Sequence, residues 1–418
     1  MAKQQMPEAG GRADRASAAA RRREGLGFVG FYACSFSVLG VYMQFFPAWL
    51  HECRGLTEAD IALVIAAQTF ARTLAGPFFS QRVDRCLGRA RTTLTALAVG
   101  AVAAMACLSI VHPLWLLCVA GLAFGAVFPP MLPIVDALLA RSAGRSGLSF
   151  GRVRMVGSLS FLITIIAAGA WFDAWGTAWV LPALLLVLLA TAFATRGLAA
   201  EPTVERVRVP DPNDGGAAPS RQRSPVGTLL RSPPFLLLLL SSALIQGSHA
   251  TYYSLSTVHW NEHGIDKTTA SLLWAEGVLA EIFLLFFARQ TIDRLRPSTL
   301  LLLGALGAAI RWLVLGCSTS VPILFAINWL HAASFAMTYI GAIRMVEGRV
   351  PASMRTTAQG LVGAATSGVG MVVCGITGGL AWQHWGGQSY WLMAAFALAG
   401  AVPVVWLRRE RDARAIES

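Results

Sequence analysis

Residues 76–91 read Gly76-Pro-Phe-Phe-Ser-Gln-Arg82-Val-Asp84-Arg85-Cys-Leu-Gly88-Arg89-Ala-Arg91, a basic turn between two long apolar runs. The runs before it (59–81) and after it (91–111) are each about 20 residues long, the length of helix that crosses a bilayer core. The pattern repeats outward along the chain. Apolar stretches lie near 26–50, 59–81, 91–111, 113–140, 153–172, 178–195, 234–257, 268–288, 298–317, 321–343, 357–380 and 387–407, which makes twelve spans. Of 34 Lys and Arg residues, thirty fall in the N-terminus, the C-terminus and the alternate loops that include this turn. Arg54 and Lys267 occupy loops on the other side, and Arg72 and Arg311 lie inside spans. The positive-inside rule therefore puts both termini in the cytoplasm. An even number of spans requires the same.

Composition fits this topology. The 418 residues are 55% hydrophobic and 13% charged, with mean hydropathy +0.58, against about 25% charged in a soluble domain. A net charge of +12 would suggest nucleic acid in a soluble protein. Here it is a loop bias that also favours anionic lipid, and no nucleic-acid partner is expected. The cysteines (Cys34, Cys53, Cys86, Cys107, Cys118, Cys317, Cys374) are scattered without a CxxC pair, so no metal site, disulfide framework or cofactor is expected. Residues 1–24 are Ala/Arg-rich and are expected to be a disordered cytoplasmic tail. The first apolar run is too long for a signal-peptide core and is read as a retained helix. No G-x-x-x-x-G-K-[ST] motif is present, so an ATPase is excluded and energy must come from a gradient.

The longest polar interruption, 197–230, is rich in Pro, Gly, Ser and Arg, as in a flexible linker. It separates a six-span bundle (25–196) from a second (231–407), followed by a short cytoplasmic tail (408–418). Asp84-Arg85 recurs as Asp293-Arg294 at an offset of 209 residues, and the same offset sets Arg72 against Glu281. Parallel six-helix repeats are the layout of the major facilitator superfamily. The turn at 76–91 resembles that superfamily's cytoplasmic G-x(n)-D-R-x-x-G-R-x-R signature. The resemblance implies an all-α membrane protein of two pseudo-symmetric six-helix bundles. It also implies a gate in which Asp84, Arg85 and Arg89 latch the cytoplasmic side.

Several segments in both halves, over about 26–407, resemble the 3-phenylpropionate/cinnamate transporter family, within a group that includes proton-linked nucleoside and oligosaccharide symporters. They are Pro133-Ile-Val-Asp136-Ala-Leu, Phe150-Gly-Arg152-Val-Arg154-Met-Val-Gly157-Ser158, Gln246-Gly-Ser-His249-Ala-Thr-Tyr252-Tyr253, Leu279-Ala-Glu281, Ile310-Arg311-Trp312 and Leu330-His331. The resemblance implies proton-coupled import of a small aromatic carboxylic acid.

Ionisable groups deep in spans are costly, at about 3 kcal/mol or more, and are functional candidates. Arg72 lies roughly 20 Å into its span at ~1.5 Å per residue. A guanidinium grips a planar carboxylate through two parallel hydrogen bonds, so Arg72 is the first candidate for the substrate acid. Its competing role is a gate contact to the other half or to a helix-end carbonyl. Glu281 lies at similar depth and is a candidate for the coupling proton. The alternative is a fixed pair between Arg311 and Glu281 or Glu276, and depth favours Glu276. Asp136 is expected to bridge Arg154 as architecture or gate, with proton carriage as its second role. Arg344 and Glu347 resemble its counterpart in the other half.

Spans one, four, seven and ten line the cavity in the superfamily. On these, Gln44, Tyr253, Asn328 and His331 are candidate substrate contacts, and His249 a candidate proton relay. Aromatic rings and amides suit a planar ring that bears a carboxylate. His259, Trp260, Trp382 and Trp385 are expected to be interfacial anchors.

These readings converge on a secondary transporter of the bacterial inner membrane. It is expected to be monomeric and to import a small organic acid with H+ by alternating access. The alternatives are a nucleoside or sugar symporter, a drug exporter, or a membrane-embedded ligand sensor. A membrane enzyme is disfavoured, because no nucleophile or metal constellation is present.

Overall fold

The computed structural model describes the backbone of residues 8–85, 89–146, 149–198, 225–287 and 289–416. Side chains are described from 24 to 408, except 77, 80–88, 143–148, 199–225, 288, 289 and 291. The described residues form helices and no strands. The long helices are α1 (Glu8–Arg54), α2 (Glu58–Arg85), α3 (Ala90–Ile110), α4 (Leu114–Ser142), α5 (Phe150–Trp175), α6 (Thr177–Gly197), α7 (Pro233–Glu262), α8 (Lys267–Phe287), α9 (Pro297–Leu315), α10 (Val321–Arg349), α11 (355–385) and α12 (Tyr390–Ile416). Apolar length explains them. In lipid every backbone polar group must bond within its own segment, which only a helix or a closed barrel achieves.

Among the described residues, ten helical stretches are long and apolar enough to cross a membrane. One of them, Ala352–Arg408, is 57 residues long and folds back at Gly386, so it makes two passes. The remaining pass is α2, which at 28 residues is long enough to cross. The expected twelve crossings are thus recovered by a different route. Local signals mark the ends. Pro233 and Pro297 open α7 and α9 at the position where a missing N–H costs nothing. Ser149 caps α5 through the Arg152 amide. Two segments expected as tails are partly helical. α1 begins at Glu8 and α12 runs to Ile416, because the Ala/Arg and Arg/Glu composition there favours helix.

Four helices are interrupted near their middles. α4 breaks at Phe128–Pro130 and α7 at Ser248–His249. α10 and α11 carry π-turns at Ala332–Met337 and Ala365–Gly370. Such turns hold an extra residue and recur at functional sites.

The packing decides which end is closed. α1 packs on α5 and α6, α2 on α4, α9 on α12 and α10, and α7 on α12. Contacts between the first six and last six helices run through α2–α11, α5–α8 and α1–α7. One apolar core fills α1–α6 and continues into the Lys267 end of the later helices through Tyr252, Trp260, Leu273 and Trp382. A second core, including Phe235, Leu238, Leu301, Met345 and Val404, is confined to the later helices. Lipid-compatible apolar side chains such as Leu74, Leu186, Phe286 and Val402 stay exposed. Trp260 and Trp382 are buried, only 1% and 6% exposed, so they are core residues and not interfacial anchors; Trp385 is exposed. His259 packs edge-on against Trp382 at 5.2 Å.

Candidate transport site

Three glycines let α10 sink between α8 and α9. Gly304 faces Thr338, Gly307 faces Ala333 and Gly277 faces the His331 ring, each too close for a larger side chain without movement. Gly304→Val should therefore destabilise the protein by about 1–3 kcal/mol through overpacking. Thermal unfolding in detergent would read this, and an unchanged midpoint would refute the tight seam.

That seam assembles a buried polar chain. Arg311 is fully buried and donates to His331 Nδ1 at 2.9 Å and to Asn328 Oδ1 at 3.0 Å. His331 Nε2 lies 2.8 Å from Glu281 Oε1. A guanidinium cannot accept, so Nδ1 must accept from Arg311. The hydrogen-bond pattern therefore assigns the single ring proton to Nε2, facing Glu281. A neutral histidine thus relays between a fixed cation and a carboxylate that is 23% exposed. Asn328 also donates to the Leu273 carbonyl at 3.2 Å. The guanidinium lies 4.2 Å from the Tyr252 ring centroid and 4.7 Å from that of Trp312, which supplies the cation with aromatic faces.

This arrangement corrects the expected pairing. Arg311 bridges neither glutamate directly. It reaches Glu281 through His331, and Glu276 Oε2 is buried without a hydrogen-bond partner. Depth along a straight helix failed here because the α10 side chains intervene between α8 and α9.

His249 sits at the break in α7, which turns it toward this chain. Its Nε2 is 3.0 Å from Ser334 Oγ, and its ring lies 5.8 Å from His331 and 5.0 Å from Trp312. Tyr253 stacks on His249 at 5.9 Å and approaches Trp274 at 5.7 Å. Phe335 stacks on His331 at 5.5 Å. The result is a cluster of imidazoles and aromatic rings beside a charged relay. Gln44 lies across from it and donates to Ser271 Oγ at 3.2 Å, joining α1 to α8.

The other candidates lie elsewhere. Arg72 donates to the Ser367 carbonyl at 2.7 Å, in the α11 π-turn, where the wider coil leaves acceptors available. Arg72 shares no hydrogen-bond partner with the Arg311 chain among the described contacts. Asp136 accepts from the Tyr32 hydroxyl and lies 3.4 Å from Arg154 Nε, while Arg154 rests 4.5 Å over the Phe36 ring. Arg344 donates to the carbonyls of Ile292 and Asp293 at 2.8 and 3.0 Å, closing the short helix Arg289–Arg294. Arg89 is exposed at the start of α3. The side chains of Asp84 and Arg85 lie outside the described residues.

Contacts that the sequence did not single out close the Lys267 end. Asp173 at the end of α5 accepts from the Lys267 and Thr268 amides, both at 2.7 Å, and from the Thr268 hydroxyl, so it caps α8 from the other half. Lys267 pairs with Glu52 at 3.2 Å. Asp266 caps the same helix locally by accepting from the Thr269 amide at 2.6 Å, whereas the Asp173 cap comes from 94 residues away.

Twelve membrane-length helices with interrupted segments around a buried charge relay are the architecture of a multi-pass membrane transporter. Residues 27–393 match the profile of the MFS_1 like family, and the chain belongs to that family. It is 27% identical over 388 residues to the "Probable 3-phenylpropionic acid transporter" of Escherichia coli (strain K12), covering 91% of this chain and 96% of that protein. It is 26% identical over 390 residues to the maltose permease of Geobacillus stearothermophilus, covering 92% and 94%. Its fold matches the crystal structure of nucleoside transporter NupG with a TM-score of 0.79 at 13% identity, over 92% of this chain and 98% of that one.

Proposed function

We propose that this protein imports a small aromatic carboxylic acid together with a proton across the bacterial inner membrane. The observation that carries this reading is the buried Arg311–His331–Glu281 relay beside a wall of Tyr252, Tyr253, Trp274 and Phe335. Glu281 takes the coupling proton. With the carboxylate neutralised, the Arg311 charge is no longer balanced through His331, and an anionic substrate restores the balance. Proton and acid anion are then favoured together, which is the requirement for symport. The aromatic wall supplies stacking for the ring. Arg72 has five N–H donors and spends one on Ser367; apart from the relay, it is the second cation that attracts the acid anion. Similarity to a phenylpropionate transporter supports the same substrate class.

Bundles 25–196 and 231–407 rock about this site, with the linker 197–230 and both termini in the cytoplasm. The Lys267 end then faces outward and is closed here. Asp173→Ala removes a helix cap between the bundles, worth about 1 kcal/mol or roughly fivefold in an equilibrium. Labelling of Gln44→Cys by a membrane-impermeant maleimide is expected to quicken several-fold in the Asp173→Ala background. An unchanged rate would refute this gate.

The direct test is reconstitution in liposomes with an inward proton gradient and labelled 3-phenylpropionate, against protein-free vesicles. Uncoupler-sensitive accumulation above that control supports the proposal. No excess uptake by folded protein removes the aromatic acid. A neutral nucleoside or sugar is the second reading, favoured by the amides Gln44, Gln246 and Asn328 in the buried interior and by the similarity to maltose permease. An Arg72→Gln variant that keeps full uptake would decide for it.

A further inference from the structure

The loop between α1 and α2 builds a second, smaller site. Gly55 adopts φ +64°, a left-handed conformation open to glycine. The Gly55 amide bonds the His51 carbonyl at 3.0 Å, an αL helix ending, and the Leu56 amide reaches the Leu50 carbonyl at 3.2 Å. This turn brings the Leu56 carbonyl to 3.2 Å from His51 Nδ1. A carbonyl only accepts, so Nδ1 carries a hydrogen, which leaves Nε2 as the nitrogen free to bind a metal. His51 Nε2 meets Glu262 Oε1 at the end of α7, 3.2 Å away. A second ring proton satisfies this pair, and so does a cation held between the two atoms. Glu58, at the start of α2, brings a third donor, and all three donor atoms lie within 4.8 Å of one another.

The geometry suits a metal ion. Two ligand atoms 3.2 Å apart, each about 2.1 Å from zinc, subtend about 100° at the metal, near the tetrahedral angle. Histidines that bind metal characteristically donate their other ring N–H to a carbonyl or carboxylate, which fixes tautomer and orientation; the Leu56 carbonyl fills that role. A Glu58 rotamer change closes the third position and water takes the fourth. The neighbouring Lys267 ammonium is engaged by Glu52 at 3.2 Å.

We propose that His51, Glu58 and Glu262 form a zinc-type divalent metal site that clasps the first six helices to the last six at the Lys267 end. His51 and Glu58 come from α1 and α2 and Glu262 from α7, so a bound ion ties together surfaces that part when this end opens. The scattered cysteines carried no metal signal, and this triad is drawn from positions up to 211 residues apart, which no spacing motif reveals. Metal binding stands on the triad alone; inhibition of transport by the clasp rests on the alternating-access reading.

The test titrates the purified full-length protein in detergent with Co2+ and then displaces it with Zn2+. The expected result is a visible cobalt absorption band of tetrahedral type, saturating at a single ion per chain. His51→Gln and Glu262→Gln should each weaken binding by about tenfold or more, and His112→Gln, whose ring lies against Arg54 outside the triad, should not. Glu262 is exposed, so Glu262→Gln should fold even if His51→Gln does not. No cobalt band from folded wild-type protein overturns the site, as does unchanged affinity in the Glu262→Gln variant. In liposomes that take up substrate, external Zn2+ should slow uptake by wild type and spare Glu262→Gln. The optical titration reads the site even if no aromatic acid is transported.

Discussion

Glu281→Gln should abolish uphill accumulation while leaving substrate exchange intact. Glutamine keeps the shape of the side chain and can still accept from His331 Nε2, so the 2.8 Å contact survives. It cannot bind and release a proton. For symport of one proton with one monovalent acid anion, a pH difference of one unit supports about tenfold accumulation, since one unit is worth 1.36 kcal/mol. That ratio should fall to unity in the variant. Counterflow, in which labelled substrate exchanges with unlabelled substrate inside, needs no net proton movement and should persist. The pair of measurements separates a coupling residue from a structural one, because a merely structural defect lowers both. Retained accumulation would move the proton to Asp136 or His249.

Arg311→Leu should be the most damaging single change. It removes a fully buried guanidinium and leaves His331 Nδ1 and Asn328 Oδ1 without their donor and the Glu281 carboxylate without its cation. Breaking one partner of a buried charged pair costs about 3–5 kcal/mol. Transport should be lost and the unfolding midpoint should drop. Arg311→Lys should fail to restore transport, because a single ammonium cannot serve His331 and Asn328 in the same fork. The decisive comparison is Arg311→Leu combined with Glu281→Gln. If the two act through His331, the double variant should be more stable than the sum of the single losses predicts. Strict additivity would show that they are independent.

The twelve crossings were legible because apolar length and the charge of the loops are local properties. Arg311 and Glu281 were identifiable as costly charges inside apolar spans, and His331 and Asn328 as candidate cavity contacts. Their connection was not. Assigning Arg311 to Glu276 assumed straight helices and direct contact, whereas Gly277, Gly304 and Gly307 draw α10 inward so that His331 becomes the intermediary. Trp260 and Trp382 were misread for a similar reason: nearness to a span end does not reveal whether the side chain faces lipid or a neighbouring helix. Asp173 and the His51 triad depend on segments meeting from opposite halves of the chain, and sequence spacing carries no record of that meeting.

The apolar core shared across the Lys267 end gives the protein a thermometer. Opening that end to water exposes apolar surface, and such exposure raises heat capacity. Hydrophobic cohesion weakens on cooling, so the population open at that end should grow as temperature falls. The other end has no such shared core among the described residues, and its opening should respond less. Labelling of Gln44→Cys at several temperatures, corrected for the intrinsic rate of the reagent, would reveal this. A population that rises with temperature would mean that polar contacts, not the core, hold the end closed.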